Sequence, residues 1–101
     1  MSAADKLGGY ATGFGELNAD TIATNVTDDY KLLDKDGNTY GKEDLPDYIA
    51  ELRNLADKMV ITDVVVDGGM AWCKWQVGDI VGAGLIIFGD EGVSQEQLFY
   101  A

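Results

Sequence analysis

The acidic and amide side chains of the segment DKDGNTYGKED, which starts at Asp34, have the spacing at which a loop could bind a calcium ion. Asp34, Asp36 and Asn38 fall on the first, third and fifth positions of an EF-hand loop. The sixth position needs a glycine and is Thr39, and the twelfth needs a bidentate glutamate and is Leu45. The segment is therefore interpreted as a hairpin turn followed by a helix start, and no metal site is predicted.

Asp34 is the residue of this segment that a turn does not explain. Asp, Asn and Gly favour turns because their side chains bond to the local backbone or because they tolerate positive φ, which accounts for Asp36, Gly37 and Asn38. Asp34 instead lies at the end of a strand predicted over residues 30–33. The local pattern leaves the function of its carboxylate open.

The absence of histidine from the sequence removes the commonest catalytic and metal-binding chemistry. Ser-His-Asp and Cys-His arrangements cannot form, nor can metal sites that contain histidine. Cys73 is the single cysteine; it alternates with Ala71, Trp75 and Val77 and is predicted to be a core residue. No glycine-rich phosphate-binding motif is present, so no cofactor is predicted.

The charge of the chain argues against anionic partners. The 101 residues include 18 acidic and 7 basic ones, a formal net charge of −11. This charge repels phosphate backbones and anionic lipid surfaces, so neither nucleic acid nor membrane is expected as a partner. The N-terminus lacks the pattern of a signal peptide, and the longest weakly polar run, residues 80–89, is too short to span a bilayer. We expect a soluble, cytoplasmic protein.

Helical spacing of apolar residues predicts three helices in the N-terminal part of the chain. The first covers residues 3–17, although four glycines inside it weaken the pattern. The second begins after Asn18 as N-cap and has Ile22 and Val26 on its apolar side. The third has the longest apolar stripe, which runs for four turns over residues 45–59.

After the third helix the apolar period changes from 3.6 to 2, which indicates strands. Four strands joined by short glycine-containing turns are predicted as an antiparallel meander: residues 60–67, 70–77, 83–88 and 93–100. The uncharged run GAGLIIFG is expected in an inner strand, because an exposed edge of this kind would pair with other molecules. Helices followed by a sheet predict an α+β fold in a single domain, residues 1–101, with the helices on one face of a curved mixed or antiparallel sheet.

The segment LNADTIATNVTDDYKLLDKDGNTYGKEDLPDYI, residues 17–49, resembles the signature region of the nuclear-transport-factor-two-like superfamily, which includes ketosteroid isomerases and SnoaL-like polyketide cyclases. The C-terminal QEQLFYA resembles the aromatic last strand of that family, and the order of elements matches over essentially the whole chain. The resemblance implies a cone-shaped domain whose curved sheet wraps the long helix and leaves a pocket at the open end.

The ketosteroid isomerase branch moves a proton with a carboxylate at the end of its first strand, and the resemblance places Asp34 at this position. A carboxylate that faces an apolar cavity has its pKa raised by desolvation toward the range useful for proton transfer. The same branch builds an oxyanion hole from a tyrosine on the first helix and a protonated acid on a later strand. Tyr10 lies about a turn out of register with that tyrosine, and the place of the acid falls near Gly84, where no carboxylate exists.

The hypothesis that results is a SnoaL-like domain that binds a small, mostly apolar organic ligand in its cone. Asp34 is the candidate general base for a proton transfer of the isomerase, cyclase or dehydratase type. The candidate pocket residues are Tyr10, Phe14, Tyr30, Tyr48 and Trp75. The alternative is a non-catalytic ligand-binding or homodimerisation module, so enzymatic activity is left open.

The run MAWCKWQV has two different faces. Its outer face, with Met70, Trp72, Lys74 and Gln76, combines a tryptophan with a charge. This face is either solvated or the interface of a homodimer that forms through the outer side of the sheet.

Overall fold

Helices precede a six-stranded sheet in the computed structural model, which describes residues 2–101. The α-helices are α1 (Ala3–Gly15), α2 (Ala19–Ala23) and α3 (Leu45–Arg53), the last preceded by a 3-10 turn, Lys42–Asp44. The strands are β1 (Val26–Leu33), β2 (Thr39–Gly41), β3 (Val60–Asp67), β4 (Met70–Val77), β5 (Ile80–Gly89) and β6 (Gly92–Tyr100).

The sheet has the strand order β2-β1-β6-β5-β4-β3. Along the meander, β3 pairs antiparallel with β4, β4 with β5 and β5 with β6, which confirms the prediction, and β5 is an inner strand as expected. Strand β1 pairs antiparallel with β2 and parallel with β6, so the sheet is mixed. The α+β fold with N-terminal helices on an open, curved sheet is confirmed. Among residues 2–101, no helix is long and apolar enough to cross a membrane.

Helix α1 forms despite its glycines because its start is capped and its apolar side is buried. The hydroxyl of Ser2 accepts a hydrogen bond from the backbone N–H of Asp5, whose carboxylate accepts one from the N–H of Ser2. The glycines permit close packing: a Cβ at Gly13 would lie 2.7 Å from Cγ1 of Ile22 on α2. The helix ends where Leu17 takes a positive φ of 50°, a conformation that its complete burial stabilises.

Several predicted boundaries differ from the structure, and two of the differences have a clear physical cause. Helix α3 ends at Arg53. Leu55, which a longer helix would place on the apolar side, is half exposed, and the N–H of Met59 donates to the carbonyl of Gly15 on α1. Val26 belongs to β1 and not to the apolar side of α2, because it is paired with Val93 on β6. In both cases a contact with a residue distant in sequence determines the secondary structure of the segment.

The core lies between the helices and the concave face of the sheet. Strand β4 follows the predicted alternation, with Ala71, Cys73, Trp75 and Val77 buried and the intervening side chains exposed. The sheet departs from regular pairing at bulges in β3 and β6, and Asp63 in β3 has a φ of 54°. These bulges bend the strands that enclose the space between sheet and helices.

Candidate functional site

A cavity of about 110 Å³ lies between α1, α3 and the concave face of the sheet. Its wall is almost entirely apolar and aromatic, which is typical of a site for a small organic ligand. Among residues 2–101, Glu96 on β6 is the one carboxylate in the wall, and no Lys or Arg side chain lines it. The lining residues are Leu7, Tyr10, Ala11, Phe14, Tyr48, Leu52, Met59, Ile61, Val64, Cys73, Trp75, Val77, Ile80, Ile86, Glu96, Leu98 and Tyr100.

Glu96 is the end point of a buried hydrogen-bond chain. The hydroxyl of Tyr10 donates to Oε1 of Glu96 at 2.5 Å and lies 2.6 Å from the hydroxyl of Tyr30. Because the single proton of Tyr10 is given to the carboxylate, Tyr30 donates to Tyr10. The three residues are at most 5% exposed. Oε2 of Glu96 accepts no hydrogen bond from any residue in the range 2–101, so it is the oxygen left for a ligand.

Burial sets the protonation of Glu96. Desolvation raises its pKa from the ordinary 4.5 to about 7, and the hydrogen bond from Tyr10 opposes this rise only in part. Burial, followed by the charge of Glu96, raises the pKa values of Tyr10 and Tyr30 well above 10, so both hydroxyls keep their protons. Near neutral pH, Glu96 therefore changes between its acid and its carboxylate form while its partners stay neutral.

The carboxylate of Glu96 occupies the space beside Gly84 on the neighbouring strand. Glu96 is paired with Ile86 in the ladder between β5 and β6, and a Cβ built on Gly84 would overlap its Oε2. The resemblance pointed to this place for a protonated acid, where β5 itself offers none. A carboxyl group does lie at this place, but it belongs to Glu96 on β6 and occupies the space left by the missing side chain of Gly84.

Asp34 lies in the β1–β2 turn and does not line the cavity. Its Oδ1 accepts hydrogen bonds from the backbone N–H groups of Asp36 and Asn38, both at 2.9 Å. Its Oδ2 accepts from the side-chain amide of Asn38 and the hydroxyl of Tyr40. The side-chain bond from Asn38 is the main cause of a lowered Asp34 pKa. The carboxylate is therefore ionised, and both of its oxygens accept hydrogen bonds within the turn. A general base was expected in apolar surroundings, and the surroundings of Asp34 are polar.

The predicted pocket residues are mostly brought together. Tyr10, Phe14, Tyr48 and Trp75 line the cavity, whereas Tyr30 lies one hydrogen bond behind Tyr10. Glu96 and Tyr100 also line the cavity and were not predicted from the sequence. The sequence does contain a signal for Glu96. Because side chains alternate along a strand, Glu96, Leu98 and Tyr100 lie on the same face of β6, and Leu98 is buried on that face.

Two other side chains of the cavity wall, Cys73 and Trp75, carry a thiol and an indole N–H. Burial raises the pKa of the Cys73 thiol to about 11, so it is not a thiolate at neutral pH. The indole N–H of Trp75 is buried without a hydrogen-bond partner in the part of the chain that the structure describes. Within residues 2–101, no three His, Cys, Asp or Glu side chains lie close enough together to hold a metal ion.

No family model matches the chain, and no curated protein matches it. Solved structures do. An NTF2-like protein from Cytophaga hutchinsonii has a TM-score of 0.74 at 13% identity, over 97% of this chain and 88% of that one.

Two further structures are similar. A protein of ketosteroid isomerase-like fold from Catenulispora acidiphila, in complex with trimethylamine, has a TM-score of 0.75 at 16% identity, over 98% of this chain and 87% of that one. A SnoaL-like protein from Shewanella putrefaciens has a TM-score of 0.77 at 12% identity, over 96% and 78%. At this identity the likeness concerns the fold alone: the chain has the α+β cone of the nuclear-transport-factor-two-like proteins.

Proposed function

We propose that the cavity binds a small, mostly apolar organic molecule and that Glu96 exchanges a proton with it. The observation that carries this proposal is one carboxylate, 5% exposed, in an otherwise apolar wall. A buried acid of this kind lies in the pKa range where it can both accept and release a proton at neutral pH. Asp34, the candidate general base predicted from the sequence, does not suit this role, because its carboxylate is hydrogen-bonded in the turn and its pKa is lowered.

The hydrogen-bond chain supports the role of Glu96 by fixing its orientation. Tyr10 holds Oε1, and the chain continues to Tyr30, so rotation of the carboxyl group breaks a buried hydrogen bond. Oε2 remains available to a ligand in the cavity. Such a fixed acid serves a proton transfer of the isomerase, cyclase or dehydratase type.

Ligand occupancy is tested with small neutral probes, tert-butanol and cyclopentanone, by NMR titration. Cavity-filling by Ala11→Leu, in the wall, should abolish binding, whereas Ala50→Leu, on the exposed side of α3, should leave it unchanged. Absence of binding to the wild-type protein, or equal binding to both variants, would contradict the proposal.

Proton transfer is tested separately. In D₂O, NMR should show that the wild-type protein accelerates exchange of the α-protons of cyclopentanone, and that Glu96→Gln abolishes the acceleration because an amide cannot accept the proton. Asp34→Asn serves as the comparison and should retain wild-type exchange. Equal exchange by wild type and Glu96→Gln would remove the proton-transfer role and leave a binding module.

We also propose that the outer face of the sheet forms a homodimer. The side chains there are apolar and exposed: Val65, Met70, Trp72, Val81, Ile87 and Phe99 are 38–61% exposed, and the rings of Trp72 and Phe99 stack at 6.4 Å. Lys74 is the only charged residue on this side of β4. Light scattering after size-exclusion chromatography should give a dimer that Trp72→Glu dissociates and Leu55→Glu, outside this face, does not. A monomeric wild-type protein would refute this interface.

A further inference from the structure

Among residues 2–101, no cationic side chain lines the cavity to balance a charge on Glu96. The titratable groups that face Glu96 are Tyr10 from α1, Tyr30 from β1, Tyr48 from α3 and Cys73 from β4, which are neutral when protonated. A desolvated carboxylate with one hydrogen bond and no counter-charge is unfavourable, and a bound cation would relieve it. An anionic ligand would instead add a second uncompensated charge.

A basic side chain lies beside Tyr100, a residue of the cavity wall, but it is already engaged. Lys35 lies over the ring of Tyr100, 5.0 Å from its centroid, and its Nζ donates to the carbonyl oxygen of Ala101. It is exposed and is not part of the cavity wall. Lys35 therefore leaves the carboxylate of Glu96 to a ligand.

The aromatic part of the wall suits a cation as well. Phe14, Tyr48 and Trp75 line the same cavity as Glu96, and aromatic faces attract alkylammonium groups through their quadrupoles. The net charge of −11 raises the local concentration of cations around the protein. A volume of about 110 Å³ limits the ligand to a few non-hydrogen atoms, since an apolar cavity of roughly 150 Å³ accepts benzene.

We propose that the cavity selects small alkylammonium cations over neutral and anionic molecules of the same size. This inference rests on the proposed ligand-binding function and names its ligand class. The carboxylate of Glu96 supplies the counter-charge, and the aromatic rings surround the alkyl groups. The alkyl groups also remove apolar wall from water, which a bare metal cation does not.

The test compares two probes with five non-hydrogen atoms each, tetramethylammonium and tert-butanol, by NMR titration or calorimetry at pH 8. The wild-type protein should bind tetramethylammonium about tenfold more tightly than tert-butanol. This ratio is the effect expected of one charge pair and cation–π contacts in a desolvated site. Glu96→Gln should abolish this preference and keep tert-butanol binding. Glu91→Gln, an exposed residue in the β5–β6 turn, removes the same charge outside the cavity and should preserve the preference.

The pH dependence gives an independent readout, because tetramethylammonium itself does not titrate. Its affinity should rise about tenfold from pH 6 to pH 8 as Glu96 ionises, and the affinity of tert-butanol should not rise. Equal affinities of both probes in the wild-type protein, with binding retained, would overturn the cation selectivity and leave the binding proposal intact. Failure of both probes to bind would overturn both proposals.

Discussion

The hydroxyl of Tyr10 on α1 donates a 2.5 Å hydrogen bond to Oε1 of Glu96 on β6, and so joins the first helix to the last strand inside the cavity wall. The bond stabilises the ionised form of Glu96 and lowers its pKa, while burial raises it. Burial has the larger effect, and the balance leaves a carboxyl that titrates near neutral pH. The first predictions concern this balance.

Tyr10→Phe should raise the pKa of Glu96 above about 7, because phenylalanine cannot donate to the carboxylate. Carboxyl ¹³C NMR of the glutamate side chains follows this titration. Tyr30→Phe, which removes a hydroxyl one bond further away, should cause a smaller rise. Coincident titration curves for wild type and Tyr10→Phe would show that the hydrogen bond is absent in solution.

Glu96 should make the protein less stable as the pH rises. Its folded-state pKa is raised, so the folded state holds the proton more tightly than the unfolded one; this contribution is complete below pH 4.5 and is lost as the pH passes about 7. The loss corresponds to about 3 kcal/mol. Urea unfolding at pH 4.5 and 8.5 should show this loss in wild type relative to Glu96→Gln. A constant difference between the two proteins would argue against the raised pKa.

Asp34→Ala should destabilise the fold without affecting ligand binding. The variant loses the acceptor for two backbone N–H groups, for the Asn38 amide and for Tyr40. Its depressed pKa makes the contribution of Asp34 present at neutral pH and lost in acid, as the pH falls through the folded-state pKa. Thermal unfolding at pH 7 should show a lower midpoint than for Asp36→Ala. Weaker ligand binding by Asp34→Ala would instead indicate that Asp34 contributes to the ligand site.

Gly84→Ala should disturb both the fold and the site. The new methyl group would overlap Oε2 of Glu96, whose other oxygen is held by Tyr10, so we expect a loss of about 1–3 kcal/mol and weaker ligand binding. The control is Gly89→Ala on the same strand, where no atom lies within 4 Å of the added Cβ. This variant should stay within about 0.5 kcal/mol of wild type. Similar unfolding and binding curves for both variants would mean that Glu96 lies elsewhere.

Two glycines of α1 should respond in opposite directions to alanine. A Cβ at Gly8 meets nothing within 4 Å, so Gly8→Ala should stabilise the helix by about 0.5–1 kcal/mol. Gly13→Ala brings its Cβ to 2.8 Å from the backbone nitrogen of Ile22 and should destabilise by about 1–3 kcal/mol. Chemical denaturation of the two variants measures both effects. Stabilisation by Gly13→Ala would contradict the close packing of α1 on α2.

Periodicity was sufficient for most of the fold because the strands alternate clearly. On β4, Ala71 and Val77 are buried and their neighbours exposed, and no distant information is needed to predict the strand. The end of α3 and the start of β1 could not be predicted in this way, because both depend on residues distant in sequence. After Arg53, the chain is held by the hydrogen bond from Met59 to Gly15, and Val26 is paired with Val93 on β6.

The candidate acid was missed for a related reason. Glu96 stands between Gln95 and Gln97, and a polar run of this kind is typical of a solvent-exposed strand. Its burial depends on Gly84, which leaves the space, and on Tyr10, which supplies the hydrogen bond, and both are distant in sequence. Asp34 was predicted as the general base because its position matches a family pattern. In the structure, the local turn uses the hydrogen-bonding capacity of its carboxylate.

The parallel pairing of β1 with β6 has a consequence for the order of folding. It joins Val26 to Val93 and Leu32 to Glu96, so the chain must close a long loop before this part of the sheet exists. Hairpins such as β3–β4 need only local contacts and can form early. The cavity wall contains residues of α1 and of β6, so ligand binding requires the association of the two ends of the chain.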